Sequence, residues 1–250
     1  MTSGPLRFAH YALPPNRLGY CGPDDTTGLW DVTTAGPDEA ELSHMAKAFD
    51  GAYPYLELIA GHNHIDDPLD ERVVDAYWIG NGLLDGIDMA TFGSSIDDRF
   101  RRRAGSSWDA MSSAVVAGGA AHHSFHVLCV YPWVGLLRAG TVAEPLLVID
   151  RCRIRIGRIT AIDGDEATVD TRPLRWDGAT LRRGAVASET FAWAVEGTSH
   201  LDRPAAGDLV TLHWDWICER ITAAQAQRLT RWTDRHLAIV NHAAPLILGS

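Results

Sequence analysis

Two rhythms of apolar and polar residues divide the chain. Over residues 1–120 apolar positions recur every three to four residues. Leu42, Met45, Ala46 and Phe49 follow Asp38 at that spacing, which predicts a helix opened by the aspartate. Tyr55 to Ala60 reads as a second helix, and Val73, Val74, Tyr77, Trp78 and Leu84 mark a third between Asp70 and Leu84. Tyr77 and Trp78 read as core. Ser107 is placed to cap a helix over Trp108 to Ala117. The stretch Pro14 to Pro23, rich in Pro and Gly, reads as an ordered loop.

After residue 143 the rhythm shortens. Leu146 to Ile149, Arg153 to Ile162, Ala167 to Asp170 and Thr190 to Val195 are short β-prone runs. Gly164-Asp165 and Asp177-Gly178 separate some of them as hairpin turns would. Arg153, Arg155 and Arg158 interleave with Ile154, Ile156 and Ile159, the pattern of a half-buried strand with a bulge near Gly157. Gly207 to Ile217 reads as one further strand. Thr222 then opens a last helix carrying Ala226, Leu229, Trp232 and Leu237. The expectation is an α+β protein. A mainly helical domain, residues 1–142, precedes a small barrel of the oligonucleotide-fold (OB-like) type with a C-terminal helix, residues 143–250.

Charge sharpens that division. Residues 1–142 hold 18 acidic and 9 basic side chains, whereas residues 143–250 hold 14 and 13. An acidic chain disfavours nucleic acid, because phosphate contacts need a basic face. The one basic cluster, Arg99 with Arg101 to Arg103, reads as a solvated helix end. No apolar run is long enough for a membrane span, and the N-terminus lacks the pattern of a signal peptide. A cytoplasmic location is expected. Four dispersed cysteines (Cys21, Cys129, Cys152 and Cys218) then read as free thiols or ligands rather than a disulfide framework. Cys218, among Trp216, Ile217 and Ile221, reads as core.

Several residues carry candidate chemistry. Cys152 and His213 each lie on a strand-like stretch and offer a thiol and an imidazole, a pair suited to a soft or borderline metal such as iron. In Ala121 to Leu137, His122 and His126 would share a helical face at i, i+4. His123 and His126 would share one at i, i+3, with Cys129 following. On a strand, His122 and His123 would face opposite sides. A metal or substrate site and a hydrogen-bonded interface are both open there. His62, His64 and Asp66 alternate, so an extended backbone would aim them one way, although a polar loop reads as well. Cys21 lies in the turn L-G-Y-C-G-P and is a further candidate thiol.

The C-terminal part, residues 148–240, resembles the HypC/HupF family of [NiFe]-hydrogenase maturation chaperones. Cys152 is followed by Gly157-Arg158-Ile159 at the family spacing. Gly207-Asp208-Leu209-Val210-Thr211-Leu212-His213 matches the family's Gly-Asp turn, valine-rich strand and histidine. Thr222-Ala223-Ala224-Gln225-Ala226 matches the capped helix that closes the pattern. Two positions depart from it: the family cysteine follows the initiator methionine, whereas Cys152 is internal, and Ile156 replaces the usual proline. The whole chain also resembles an uncharacterised actinobacterial family, sometimes associated with hydrogenase genes.

The chaperone resemblance implies an assembly factor rather than an enzyme in the strict sense. It implies iron carried as a cyanide- and carbonyl-bearing fragment, with Cys152 as thiolate ligand and His213 as second contact. It implies a HypD-like scaffold and a hydrogenase large-subunit precursor as partners, with Gly157 and the Gly207-Asp208 turn structural. Two rivals stand beside it. One is a metalloenzyme whose site draws on His122, His123, His126, Cys21, His62 and His64. The other is a metal-free docking module.

Overall fold

A computed structural model describes residues 2–36, 38–104 and 108–242. Helices α1 (Gly4–Arg17), α2 (Gly28–Thr34), α3 (Glu39–Ala46), α4 (Tyr53–His62), α5 (Glu71–Trp78), α6 (Met89–Ala104) and α7 (Trp108–Val116) come first. A broken helical run follows: α8 (His123–Phe125), a π-helical turn (His126–Val130) and α9 (Trp133–Arg138). Then α10 (Ala143–Cys152) leads into β1 (Arg155–Asp163), β2 (Glu166–Thr171), β3 (Leu174–Trp176), β4 (Leu181–Arg183), β5 (Ala187–Ala192), β6 (Leu209–His213) and β7 (Trp216–Arg220). Helix α11 (Ala223–His242) ends the described chain. The chain is thus α+β as expected, with helices first, then a sheet and a terminal helix. None of the described helices is long and apolar enough to cross a membrane.

Caps explain where several helices begin. The Asp38 carboxylate accepts from the N–H groups of Ala40 and Glu41, and the Asp70 carboxylate accepts from that of Arg72. These bonds satisfy first-turn donors that have no partner inside a helix. Thr222 and Gln225 cap α11 reciprocally, each side chain bonding the other's backbone N–H. The expected cap Ser107 and the side chains of Arg102 and Arg103 lie outside the described residues. Arg99 is not a solvated helix end: its guanidinium lies 4.0 Å from the centroid of the Tyr55 ring.

In the sheet, β1 pairs with β2 and β6, β2 with β5, and β6 with β7, all antiparallel. β5 meets β7 in parallel through a single residue pair, Ala192 and Trp216. The pairings return on themselves, and the single pair between β5 and β7 is the thinnest link of the circuit. Gly157 permits the tight centre of this sheet, because a Cβ there would stand 2.2 Å from Val169 Cγ1. Hairpin β3–β4 stands apart.

Five local expectations are corrected. Pro14 and Pro15 lie inside α1, which continues to Arg17 before the loop begins. Proline is accepted there because the carbonyls it leaves unpaired can find acceptor roles elsewhere. Leu146 to Ile149 is helical, within α10, where Pro145 sits in the first turn and Val148, Ile149 and Cys152 are buried. Cys152 is therefore a helix terminus, not a strand residue. Gly207 to Ile217 is a hairpin rather than one strand: Trp214 and Asp215 form its turn, with Trp214 at φ 54°. The pattern hid it, because turns of this kind usually carry Asn or Gly. Arg153 and Arg155 are buried, against Asp150 and Glu189, so β1 has no solvated arginine face at its start. The irregularity expected near Gly157 is present a little further along β1, as a register shift between Ile159 and Ala161. The strand read at Thr190 to Val195 begins earlier, as β5, and ends at Ala192.

The largest apolar cluster crosses the expected 142/143 boundary. Phe8, Tyr11 and Trp78 from the helical part join Ile154, Trp216 and Cys218 from the sheet. A buried polar knot pins the same junction. Arg7 Nη2 lies 2.8 Å from Asp75 and 3.0 Å from Glu219, and the Tyr11 hydroxyl donates to Glu219 at 2.7 Å. Helix α11 returns to the helical part, where Arg228 donates to the Gly80 carbonyl and the Trp232 ring lies against Gly80. The candidate site sits in this junction.

Candidate metal centre

The site starts with a defect in helix α1. In an α-helix the carbonyl of residue 11 accepts from the N–H of residue 15. Here residue 15 is proline and has no N–H, so the Tyr11 carbonyl is free. His213 Nδ1, at the end of β6, occupies it at 2.6 Å. That bond places the proton on Nδ1 and leaves Nε2 with a lone pair, the tautomer a metal-ligating histidine uses. His213 is 1% exposed, and its Nε2 has no hydrogen-bond partner among the described residues.

The second donor comes from α10. Cys152 ends that helix, and its own carbonyl accepts from His123 Nε2 at 2.8 Å. The third donor, His123, begins the broken helical run, and its Nδ1 faces the Tyr77 hydroxyl at 3.2 Å. One ligand atom from each of His123, Cys152 and His213 lies within 4.8 Å of the other two. Among the described residues no other set of three His, Cys, Asp or Glu side chains converges this way. Ligand atoms about 2.0–2.3 Å from one ion stand roughly 3.5 Å apart in a tetrahedral site. The set needs only a modest contraction, and His123 would release one of its two hydrogen bonds to take part.

The three donors line a cavity of about 140 Å³ together with Cys21 and His126. Its walls are aromatic: Phe49, Tyr77, Trp78, Tyr131, Trp133 and Trp214. Tyr20 stacks on Trp214 at 4.2 Å between ring centroids and is half exposed, so these rings form a lip. Trp214 is held in its unusual backbone conformation by its N–H donating to the Arg151 carbonyl at 2.7 Å and by Arg155 donating to its carbonyl at 3.2 Å. A bulky residue at positive φ is strained, and such strain gathers at functional sites.

Burial sets the protonation of the free site. It pushes the Cys152 thiol well above its ordinary range, and nearby Cys21 adds to the effect. It pushes Cys21 up to about 12. Burial lowers His123 to about 4 and His213 to about 3. At neutral pH these groups are an uncharged thiol and uncharged imidazoles. A nearby cation reverses that balance for a thiol, since the thiolate is the ligating form.

One family model, described as a family of unknown function (DUF6390), matches residues 1–245. The chain belongs to the DUF6390 family. No curated protein matches, and no solved structure matches. The family match spans the helical part and the sheet together, as the shared core does.

In this DUF6390 chain the remaining candidates divide. His126 joins the cavity because it lies three positions after His123 on one helical face. The π-helical turn then widens the spiral, and Cys129 is not among the cavity residues. Such turns are frequent at functional sites. His122 faces away: it caps α8 by accepting from the Ser124 N–H, and Ser124 Oγ links it to His236 at 2.7 Å. His62, His64 and Asp66 do not converge, because α4 continues through His62 and His64 turns out at φ 55°. Cys218 is fully buried in the core as expected. Sequence reasoning missed Tyr11, Pro15 and Tyr77 as supports. The Pro14-Pro15 pair was the available signal, since it frees two helix carbonyls.

Proposed function

We propose that this protein holds one soft or borderline metal ion through Cys152, His213 and His123, and that it does so in metallocentre assembly. The convergence of these three side chains from β6, α10 and α8 carries the reading. A thiol with two imidazoles suits iron or zinc-like ions better than hard, oxygen-seeking ones. The resemblance around Cys152 and His213 supports iron as cargo. It also supports a hydrogenase large-subunit precursor and a HypD-like scaffold as partners.

The test is metal content and maturation in the same variants. The wild-type protein should purify with iron, and Cys152→Ala and His213→Ala should each lose most of it while keeping native circular dichroism. A host carrying Cys152→Ala should lose hydrogenase activity. Full metal content in both variants removes the metal reading, and normal hydrogenase activity in Cys152→Ala removes the assembly role.

One observation favours a second reading. Cys152 is only 9% exposed and sits inside the fold, so it does not project as a chain-end cysteine does. A resident metal in a metalloenzyme fits that placement. Iron retained through exposure to a competing chelator and to a hydrogenase precursor would favour the enzyme over the carrier.

A further inference from the structure

The cavity holds more than the three converging donors account for. Besides His213 Nε2, three of its wall residues bury polar atoms that have no partner among the described residues: His126 Nε2, Trp78 Nε1 and Trp214 Nε1. Their exposures are 3%, 3% and 4%, so bulk solvent does not serve them. Buried polar groups are normally paired, and each exception asks for a reason.

All three are donors. An indole nitrogen can only donate. For His126, Nδ1 lies 3.2 Å from the Tyr55 hydroxyl. A buried phenol needs an acceptor for its proton, and among the described residues Nδ1 is the one it has, so Nε2 carries the imidazole proton. Gly51 keeps the space before that nitrogen narrow but open: a Cβ there would stand 3.1 Å from Nε2 and 3.6 Å from the Tyr131 hydroxyl. No Asp, Glu, Lys or Arg is among the described lining residues. The volume, about 140 Å³, is close to that of a cavity known to admit benzene, about 150 Å³.

We infer that this cavity binds a small uncharged organic molecule, about the size of a five- or six-membered ring, that bears a hydrogen-bond acceptor. The aromatic walls take its apolar body, and His126 Nε2–H, facing the space that Gly51 keeps open, takes its acceptor. A charged ligand is disfavoured because the lining offers no counter-charge and burial penalises an unpaired ion. The inference goes beyond the metal reading and does not need an ion to be present.

A matched pair of probes tests it, cyclopentanone and cyclopentane, which share a ring and differ in the carbonyl. Binding to the full chain, treated with chelator, is followed by ligand-observed saturation-transfer NMR. Cyclopentanone should bind at least fivefold more tightly than cyclopentane. His126→Phe should abolish that preference, and Gly51→Ala should weaken cyclopentanone at least fivefold, both with native circular dichroism. Equal binding of the two probes, or binding of neither, overturns the inference. So does wild-type affinity for cyclopentanone in both variants. Metal content is measured separately, so loss of the metal reading would leave this result standing, and the reverse holds as well.

Discussion

His213 Nδ1 donates to the carbonyl of Tyr11 at 2.6 Å, and that carbonyl is free because Pro15 has no N–H to offer it. The bond joins the end of β6 to the last turns of α1 and orients the imidazole so that Nε2 faces the cavity side. Supports of this kind commonly change metal affinity by about 10–100-fold when removed.

Pro15→Ala restores the missing helical donor. Its N–H would compete with His213 for the Tyr11 carbonyl and loosen the imidazole. We expect metal affinity to fall about tenfold, with a fold at least as stable, because proline inside a helix is unfavourable. Competition titration with a metal-chelating dye and urea unfolding measure the two effects. Unchanged affinity would show that the Tyr11 bond does not orient the ligand.

Cys21 and Cys152 share the cavity, but only Cys152 belongs to the converging set. Cys21→Ser should keep near wild-type metal stoichiometry, whereas Cys152→Ser should drop it below about a tenth, the scale set by losing a ligand outright. Plasma emission spectrometry on purified proteins reads both. Equal losses would place Cys21 among the ligands.

Buried histidines make the fold sensitive to acid. His236 is fully buried, and burial first, then neighbouring Arg235, lowers it to about 3. Its neighbours are Ser124, bonded to its Nδ1, and His122 with a ring centroid 6.0 Å away. The folded state keeps His236 neutral below the ordinary pKa of about 6.5, while the unfolded chain takes up a proton there. Stability is therefore full above pH about 6.5 and falls as pH drops toward 3, by about 2 kcal/mol from this group at pH 5. His236→Gln should reduce the stability lost between pH 7.5 and pH 5 by about that amount. Identical pH dependence in chemical denaturation of the two proteins would rule the contribution out.

Arg7 sits between Asp75 and Glu219 with 5% of its side chain exposed. Removing one partner from a buried ion cluster typically destabilises by about 3–5 kcal/mol, because it leaves carboxylates uncompensated. Arg7→Met should lose that much in urea denaturation, and adding Glu219→Gln should recover part of it. No recovery in the double variant would mean that lost packing, not uncompensated charge, dominates.

The residues themselves determined the coarse order: helices first, then strands, then a last helix. Three-to-four spacing after Asp38 and Asp70, the Gly164-Asp165 and Asp177-Gly178 turns, and the Thr222 cap are local signals. Backbone hydrogen bonding and turn sterics act over a few residues, so these could be read directly. Cys152, His213, His123, His126 and Cys21 were all legible as candidate donors from their chemistry alone. Which of them meet was not legible. Cys152 moved from a strand to a helix end because Pro145 and the buried face of α10 outweighed local β propensity. The single strand expected over Gly207 to Ile217 became a hairpin because Tyr20, Arg151 and Arg155 hold Trp214 at a φ that tryptophan rarely adopts. His122 and His123 are adjacent in sequence yet face different partners, a separation set by where α8 begins. Only the tertiary structure decided the site, because a carbonyl freed by Pro15 finds its donor about 200 positions away, and no local rule specifies that partner.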